Sequence, residues 1–285
     1  MAVSAVSMVV TAAILRDEGG GGRWATILPV FLGGALVHAG SNLWNDYADE
    51  LNGADRANRE WSPFNGGSRV IQDGLLAVGT IRLMALVCFA AAMALALLLA
   101  PDKGPAVPLL TLVGIGVALG YSSPPLWLGS RGLGELAVGM AFGPLLAEGT
   151  AVAISGRFSP AVFGLSLPLG LLVAAILVLN EIPDLAADRT AGKRTLAVRY
   201  GASAAIRIYR ALLFGAFFLL GCFLLWAPGG GRYWLGMLAL PPAFFLGRQA
   251  GRVKPTADEV FRALAGGTIC LHLFLGFLLV LGALL

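Results

Sequence analysis

Apolar residues fill long stretches of this chain, and polar or glycine-rich breaks divide them into nine runs. The runs cover residues 2–15, 24–47, 80–100, 106–121, 134–154, 160–181, 203–226, 233–247 and 260–284. Each is too long for a strand and predicts a helix. The breaks carry residues that end helices: Gly19–Gly22, Pro101-Asp-Lys-Gly-Pro105, Ser122-Ser-Pro-Pro125 and Pro228-Gly-Gly-Gly231. A hydrocarbon core about 30 Å thick takes about 20 helical residues to cross. The first run reaches only about 21 Å at 1.5 Å per residue. It predicts either a tilted helix at the edge of the bundle or a start that lacks a few residues. Met1–Leu15 also has no basic segment and no clear cleavage site, so no cleavable signal is expected. No domain-sized soluble insert interrupts the pattern. The expected architecture is all-α, a polytopic bundle of about nine membrane helices forming one domain over 1–285.

Composition agrees with a lipid environment. Hydrophobic residues make up 58%, mean hydropathy is +0.81, and charged residues are 13%, against about a quarter in soluble domains. Cys88, Cys222 and Cys270 fall inside apolar runs without ligand spacing and read as buried small hydrophobes. The loops after runs two, four, six and eight hold 15 of the 20 Lys and Arg residues. The positive-inside rule puts those loops in the cytoplasm. The expected location is the inner membrane of a prokaryotic cell, with the lipid bilayer as partner and no nucleic acid.

Two polar clusters stand against this background, both on the basic side. One reads Asn42-Leu-Trp-Asn45-Asp46-Tyr-Ala-Asp49-Glu50-Leu-Asn52-Gly-Ala-Asp55-Arg56, the other Asn180-Glu181-Ile-Pro-Asp184-Leu-Ala-Ala-Asp188-Arg189. An acidic cluster follows the second run and another the sixth, a weak internal echo. On a helix His38, Asn42, Asn45/Asp46 and Asp49 share one face; so do Asp184 and Asp188, with Asn180 a turn earlier. Carboxylate pairs facing each other repel unless cations lie between them. Hard oxygen donors of this kind suit Mg2+, which usually bridges carboxylates to substrate phosphates. Arg56, Arg69, Lys193 and Arg194 lie just beyond and are placed to grip the outer oxygens of a diphosphate. His38 reads as a polar packing residue, and His272, deep in the last run, as a helix–helix hydrogen-bonding residue.

Asn45-Asp46-x-x-Asp49-x5-Asp55 and Asp184-x-x-x-Asp188 resemble the two aspartate-rich motifs of the UbiA-type intramembrane prenyltransferases. Further patterns are similar to the branch that prenylates 1,4-dihydroxy-2-naphthoate in menaquinone synthesis. They are Asn42-Leu-x-Asn45-Asp46-Tyr47-x-Asp49, Arg131-Gly-Leu-Gly-Glu135 with Phe142-Gly-Pro144, and Gly192-Lys193-Arg194-Thr195-Leu196-Ala197-Val198-Arg199. The resemblance implies helices around a central cavity, an isoprenyl diphosphate donor, an aromatic acceptor and Mg2+ as cofactor. Asp46, Asp49, Asp184 and Asp188 would be the metal-binding catalytic residues, helped by Asn45 and Asp55. Tyr121 and Trp127 would shield a carbocation with their π faces, and Arg131 would contact the acceptor or the diphosphate. Glu181 and Pro183 stand where that branch has an amide and an arginine, and Ser62–Arg69 departs from its basic-Gly-Pro run. These departures leave other acceptors open: 4-hydroxybenzoate, homogentisate, a protohaem vinyl group or a glycerol phosphate lipid. Outside this class, an ion or phosphate transporter would place charges at mid-bilayer depth, and an assembly factor gives no reason for paired acidic motifs.

Overall fold

A computed structural model describes residues 1–19 and 24–285; Gly20–Gly22 of the first predicted break, and Arg23, lie outside the described residues. Among the described residues the α-helices are α1 (Ala2–Asp17), α2 (Trp24–Asn52), α3 (Ala54–Ala57), α4 (Val78–Lys103), α5 (Ala106–Ser122), α6 (Gly134–Met140), α7 (Leu146–Ser155), α8 (Pro160–Thr190), α9 (Leu196–Tyr200), α10 (Ala202–Trp226), α11 (Leu240–Gln249) and α12 (Glu259–Leu284). Every apolar run is helical. The run expected at 233–247 is split, with a tight 3-10 stretch over Gly230–Ala239 leading into α11.

Among the described residues, six helical segments are long and apolar enough to cross a membrane: α2, α4, α6 with α7, α8, α10 and α12. The other apolar runs form helices shorter than that measure, α5 (Ala106–Ser122) among them, so length and hydropathy identify six crossings and leave the expected count of about nine untested. Their outward faces carry exposed Leu28, Leu98, Phe218 and Leu225. Large apolar side chains on so many outer faces need lipid rather than water around them, and the protein is an integral membrane protein. The first helix is not at the edge. Ile14 and Leu15 are buried as α1 packs against α7 and α12.

Two helices outrun the apolar pattern. Helix α2 continues to Asn52 and α8 to Thr190, so each acidic cluster begins on the helix end itself. Helix α8 does so through Pro183, whose missing N–H a membrane helix tolerates when neighbours satisfy the freed backbone. Helices α6 and α7 are separated by a π turn over Ala141–Leu145, where Gly143 leaves helical geometry beside Pro144. The Phe142 carbonyl there accepts a hydrogen bond from Ser7 Oγ at 2.7 Å, tying the break to α1. The Phe142-Gly-Pro144 pattern therefore builds a bend. It also permits a close crossing: a Cβ on Gly143 would meet the Ser166 carbonyl at 2.8 Å, and one on Gly170 would overlap the Gly139 carbonyl.

Two residues differ from their sequence reading. Cys88 and Cys222 are half-buried and Cys270 is exposed, because an apolar residue of a membrane bundle need not face protein. His272 is buried, but neither ring nitrogen has a hydrogen-bond partner among the described residues, so it does not bridge helices as expected.

Gly170→Val is expected to lower the thermal midpoint in detergent sharply and broaden the size-exclusion peak, since overpacking costs about 1–3 kcal/mol or more. Gly116→Ala, with nothing within 4 Å of its Cβ, should leave both unchanged. A tolerated Gly170→Val would show that the α6–α8 crossing does not depend on contact between backbones.

Candidate active site

A cavity of about 500 Å³ lies between α2, α4, α5, α7 and α8. Its wall runs along α2 from Val30 to Asp49, which spans about 28 Å at 1.5 Å per residue. Val30, Leu99, Leu110 and Leu146 make one end apolar. At the other end Asn45, Asp49, Asp55, Asp184, Asp188 and Lys193 converge. The two acidic clusters, remote in sequence, thus meet at one mouth.

Each carboxylate there has its own restraint. Asp49 Oδ2 lies 2.7 Å from Lys193 Nζ, which is also 3.5 Å from Asp188 Oδ1. Asn45 Nδ2 donates to Asp49 Oδ2 at 3.3 Å and to Ser122 Oγ at 3.0 Å, and Asn52 Nδ2 donates to Asp49 Oδ1 at 3.1 Å. Asp184 Oδ1 accepts from Asn58 Nδ2 at 2.7 Å and Asn65 Nδ2 at 2.6 Å. Asp46 is turned off the cavity wall and accepts from the Ser68 hydroxyl and backbone N–H. The loop that delivers these partners passes close to Asn58 at Gly66 and between the carboxylates at Gly67, both at positive φ. A Cβ on Gly67 would sit 2.7 Å from Asp55 Oδ2 and 3.2 Å from Asp46 Oδ1, so only glycine fits.

The other expected binding residues divide. Asn42, Tyr121, Asn180 and Trp127 line the cavity. The Tyr121 ring is held against Gly134, where a Cβ would approach it to 3.1 Å; this is one use of the Arg131-Gly-Leu-Gly-Glu135 pattern. Arg131 and Arg194 are exposed and do not line the cavity. Arg56 is exposed and pairs with Glu50, and Arg69 lies 3.8 Å from Asp73; neither faces the cavity. Lys193 is the one Lys or Arg on the cavity wall among the described residues. His38 lines the cavity and is satisfied, with Nδ1 2.8 Å from Ser4 Oγ and its ring edge-on to Phe142. Sequence reasoning missed Asn58, Asn65 and Ser68, whose signal was amides and glycines crowded into a short loop. It also passed over Glu181, which lines the cavity, and Glu135 behind it.

Electrostatics follow from this crowding. Burial first, then the Asp49 and Asp46 charges, push Asp55 up to about 7. Burial opposes the Lys193 charge, yet Asp49 and Asp188 together hold its ammonium above the usual lysine range. Among the described residues no three acidic or imidazole groups converge closely enough to chelate one ion. That arrangement still fits Mg2+, which keeps several waters and takes one or two carboxylates plus substrate phosphates rather than a closed protein cage. Asp49, Asp184 and Asp188 present oxygens to the cavity for that purpose.

The UbiA prenyltransferase family profile matches residues 5–278. The 1,4-dihydroxy-2-naphthoate octaprenyltransferase of Escherichia coli K12 is 32% identical over 257 residues, 87% of this chain and 82% of that protein. The enzyme of the same description from Mycobacterium tuberculosis is 33% identical over 233 residues, 81% of this chain and 75% of that one. A UbiA homolog from Archaeoglobus fulgidus, solved with DMAPP and Mg2+, superposes with a TM-score of 0.68 at 18% identity, covering 98% of this chain and 96% of that one. The apo UbiA homolog from Aeropyrum pernix K1 gives 0.71 at 18% identity, covering 97% of each. These structural likenesses speak to the fold.

Asp55 supplies a pH prediction. Burial and the neighbouring carboxylates raise its carboxyl from an ordinary 3.8 to about 7 in the folded protein. Its favourable contribution is therefore complete below about 4 and is lost as pH rises through 7. Asp55→Asn should raise the metal-free thermal midpoint at pH 8 and do so much less at pH 5. An equal shift at both pH values would remove Asp55 from the repelling cluster.

Proposed function

The chain belongs to the UbiA prenyltransferase family, and we propose that it transfers a prenyl group from an isoprenyl diphosphate to an aromatic acceptor. The acceptor we favour is 1,4-dihydroxy-2-naphthoate, in menaquinone synthesis, and the cofactor is Mg2+. One observation carries the reading: both acidic clusters line one mouth of a long apolar cavity. The mouth suits a diphosphate and the apolar depth suits an isoprenoid tail.

Asp49, Asp184 and Asp188 would hold Mg2+ on the cavity wall, with Asp55 beside them on the same wall and Asp46 just behind. The bound ion supplies neutralisation of charge that develops on the leaving diphosphate. Lys193 adds a buried ammonium beside the same oxygens, and its two carboxylate partners keep it charged. Asn58 and Asn65 hold Asp184 toward the mouth. As the allylic C–O bond breaks, positive charge grows on the prenyl carbon, where the π faces of Tyr121 and Trp127 shield it from water. The acceptor ring then captures that carbon.

A second reading concerns the acceptor. Arg131, the residue expected to meet an acceptor carboxylate, is exposed outside the cavity, which leaves Lys193 the one Lys or Arg on its wall among the described residues. This favours a ring that carries hydroxyls alone. Purified enzyme given geranyl diphosphate, Mg2+ and a panel of acceptors with and without a carboxylate separates the two by product mass. Preference for 1,4-dihydroxy-2-naphthoate supports the first reading, and preference for a carboxylate-free quinol the second.

Asp49→Ala and Asp184→Ala should each cut turnover on the order of a hundredfold or more while the protein stays folded, as expected when one stabiliser of developing charge is removed. Near-normal turnover in both would remove these carboxylates from the chemistry.

We also place the mouth on the cytoplasmic face of a prokaryotic inner membrane, from the loop charge bias. Cysteines introduced within 50–79 and 182–202 should react with impermeant reagent only from the cytoplasmic side, and those within 101–105 and 227–232 only from outside. Labelling of the two acidic segments from opposite sides would contradict a shared site.

A further inference from the structure

We propose that Glu181 receives a ring hydroxyl of the acceptor and takes its proton, with Glu135 behind it as a positioning residue. This rests on the prenyl-transfer reading and adds the group that handles the acceptor. Glu181 stands on α8 next to Asn180 and lines the cavity. It lies three residues before Asp184, about 4.5 Å deeper along the helix. A ring bound there would sit beside the first carbon of a donor whose diphosphate is held at the mouth.

The two carboxyls are buried, each 6% exposed. They neighbour each other where α6 packs on α8, Glu135 in the first turn of α6 and Glu181 on α8. Two carboxyls can hydrogen-bond only if they share a proton. Among the described residues neither forms an ion pair with a Lys or Arg. Tyr121 from α5 lies near both carboxyls, and Asp188 from α8 is the other acidic group near Glu181. Glu181 Oε2 accepts the Ala197 backbone N–H at 3.2 Å. Glu135 Oε1 and Asn180 Oδ1 are buried acceptors without a donor among the described residues. Buried acceptors without donors are rare; of these two, Asn180 Oδ1 is the one on the cavity wall, beside Glu181, and it fits a ligand that brings a donor. A phenolic hydroxyl does so; a carbonyl or a carboxylate does not. At position 181 an amide could orient such a hydroxyl but could not take its proton.

The step balances. The allylic C–O electron pair leaves with the diphosphate, and a π pair of the ring forms the new C–C bond. The O–H pair of the ring hydroxyl becomes a C=O π pair while the proton passes to Glu181. The substituted ring carbon then releases its remaining group, as a proton that the departed diphosphate takes up or, from a carboxylate, as carbon dioxide. The pair left behind restores the aromatic ring, and the proton returns from the Glu181–Glu135 pair to the oxygen.

The test compares wild type, Glu181→Gln and Glu135→Gln with geranyl diphosphate, Mg2+ and two sets of hydroxylated aromatics. In one set the hydroxyl is neutral at the assay pH; in the other it is already ionised. With neutral hydroxyls, E181Q should lose about a hundredfold in kcat, the lower range for a missing general base. With ionised hydroxyls it should recover to within about threefold of wild type, and geranyl diphosphate binding should be unchanged throughout. E135Q should move the pH profile of kcat and keep the donor affinity. Infrared difference spectra should show a protonated-carboxyl band in wild type that both variants lose, a readout independent of turnover. Equal losses with both acceptor sets, or wild-type kcat in E181Q, would overturn the proposal in favour of a purely structural pair. Failure of the wild type itself to transfer a prenyl group to any of these aromatics would overturn the broader reading, and would be seen before any variant is compared.

Discussion

Like charge gathered at the mouth of an apolar cavity is the constraint around which this molecule is built. Asp46, Asp49, Asp55, Asp184 and Asp188 come from two remote clusters and are largely withdrawn from bulk water. Carboxylates so placed repel, and burial raises the cost of each. The fold relieves that cost locally. Lys193 is held between Asp49 and Asp188, amides from one loop grip Asp184, and a serine covers Asp46. These contacts keep the carboxylates apart without neutralising the mouth, which remains suited to cations that arrive with a phosphorylated ligand.

The surrounding bundle serves the same end. Glycine at 139, 143 and 170 lets α6 and α8 approach closely, which brings Glu135 beside Glu181 and fixes the cavity wall. The π turn after α6 carries Phe142 to the cavity, where it meets His38. Gly67 lets a polar loop thread between Asp46 and Asp55, and Gly66 lets the same loop pass close to Asn58. Backbone compactness at a few glycines thus translates into the position of the charged groups. The apolar length of the cavity explains why such a site belongs in a membrane bundle: a long isoprenoid tail is excluded from water along about 28 Å of α2.

Much of this was legible in the chain. The nine apolar runs mark the helices because lipid demands continuous apolarity, and the i, i+4 spacing of Asp184 and Asp188 marks a helix face wherever the helix ends. The ends themselves were misjudged. The apolar runs end at 47 and 181, yet α2 and α8 continue to Asn52 and Thr190 because the mouth supplies partners for their Asp and Asn side chains. The roles of Arg56, Arg131 and Arg194 were also beyond reach of spacing alone. A basic residue near an acidic motif has the same one-dimensional signature whether it points into a cavity or outward. Asn58 and Asn65 were hidden for the opposite reason: their partner, Asp184, is more than a hundred residues away.

The central claim is that the mouth binds a diphosphate through cations held by the carboxylates. Calorimetric titration of the purified protein with geranyl diphosphate, with Mg2+ and again with excess chelator, tests it most directly. The account predicts saturable one-to-one binding with Mg2+ that weakens on the order of a hundredfold or more, about 2.7 kcal/mol, under chelation. Equal affinity in both conditions would contradict it, since the donor would then be held by its tail and Lys193 alone.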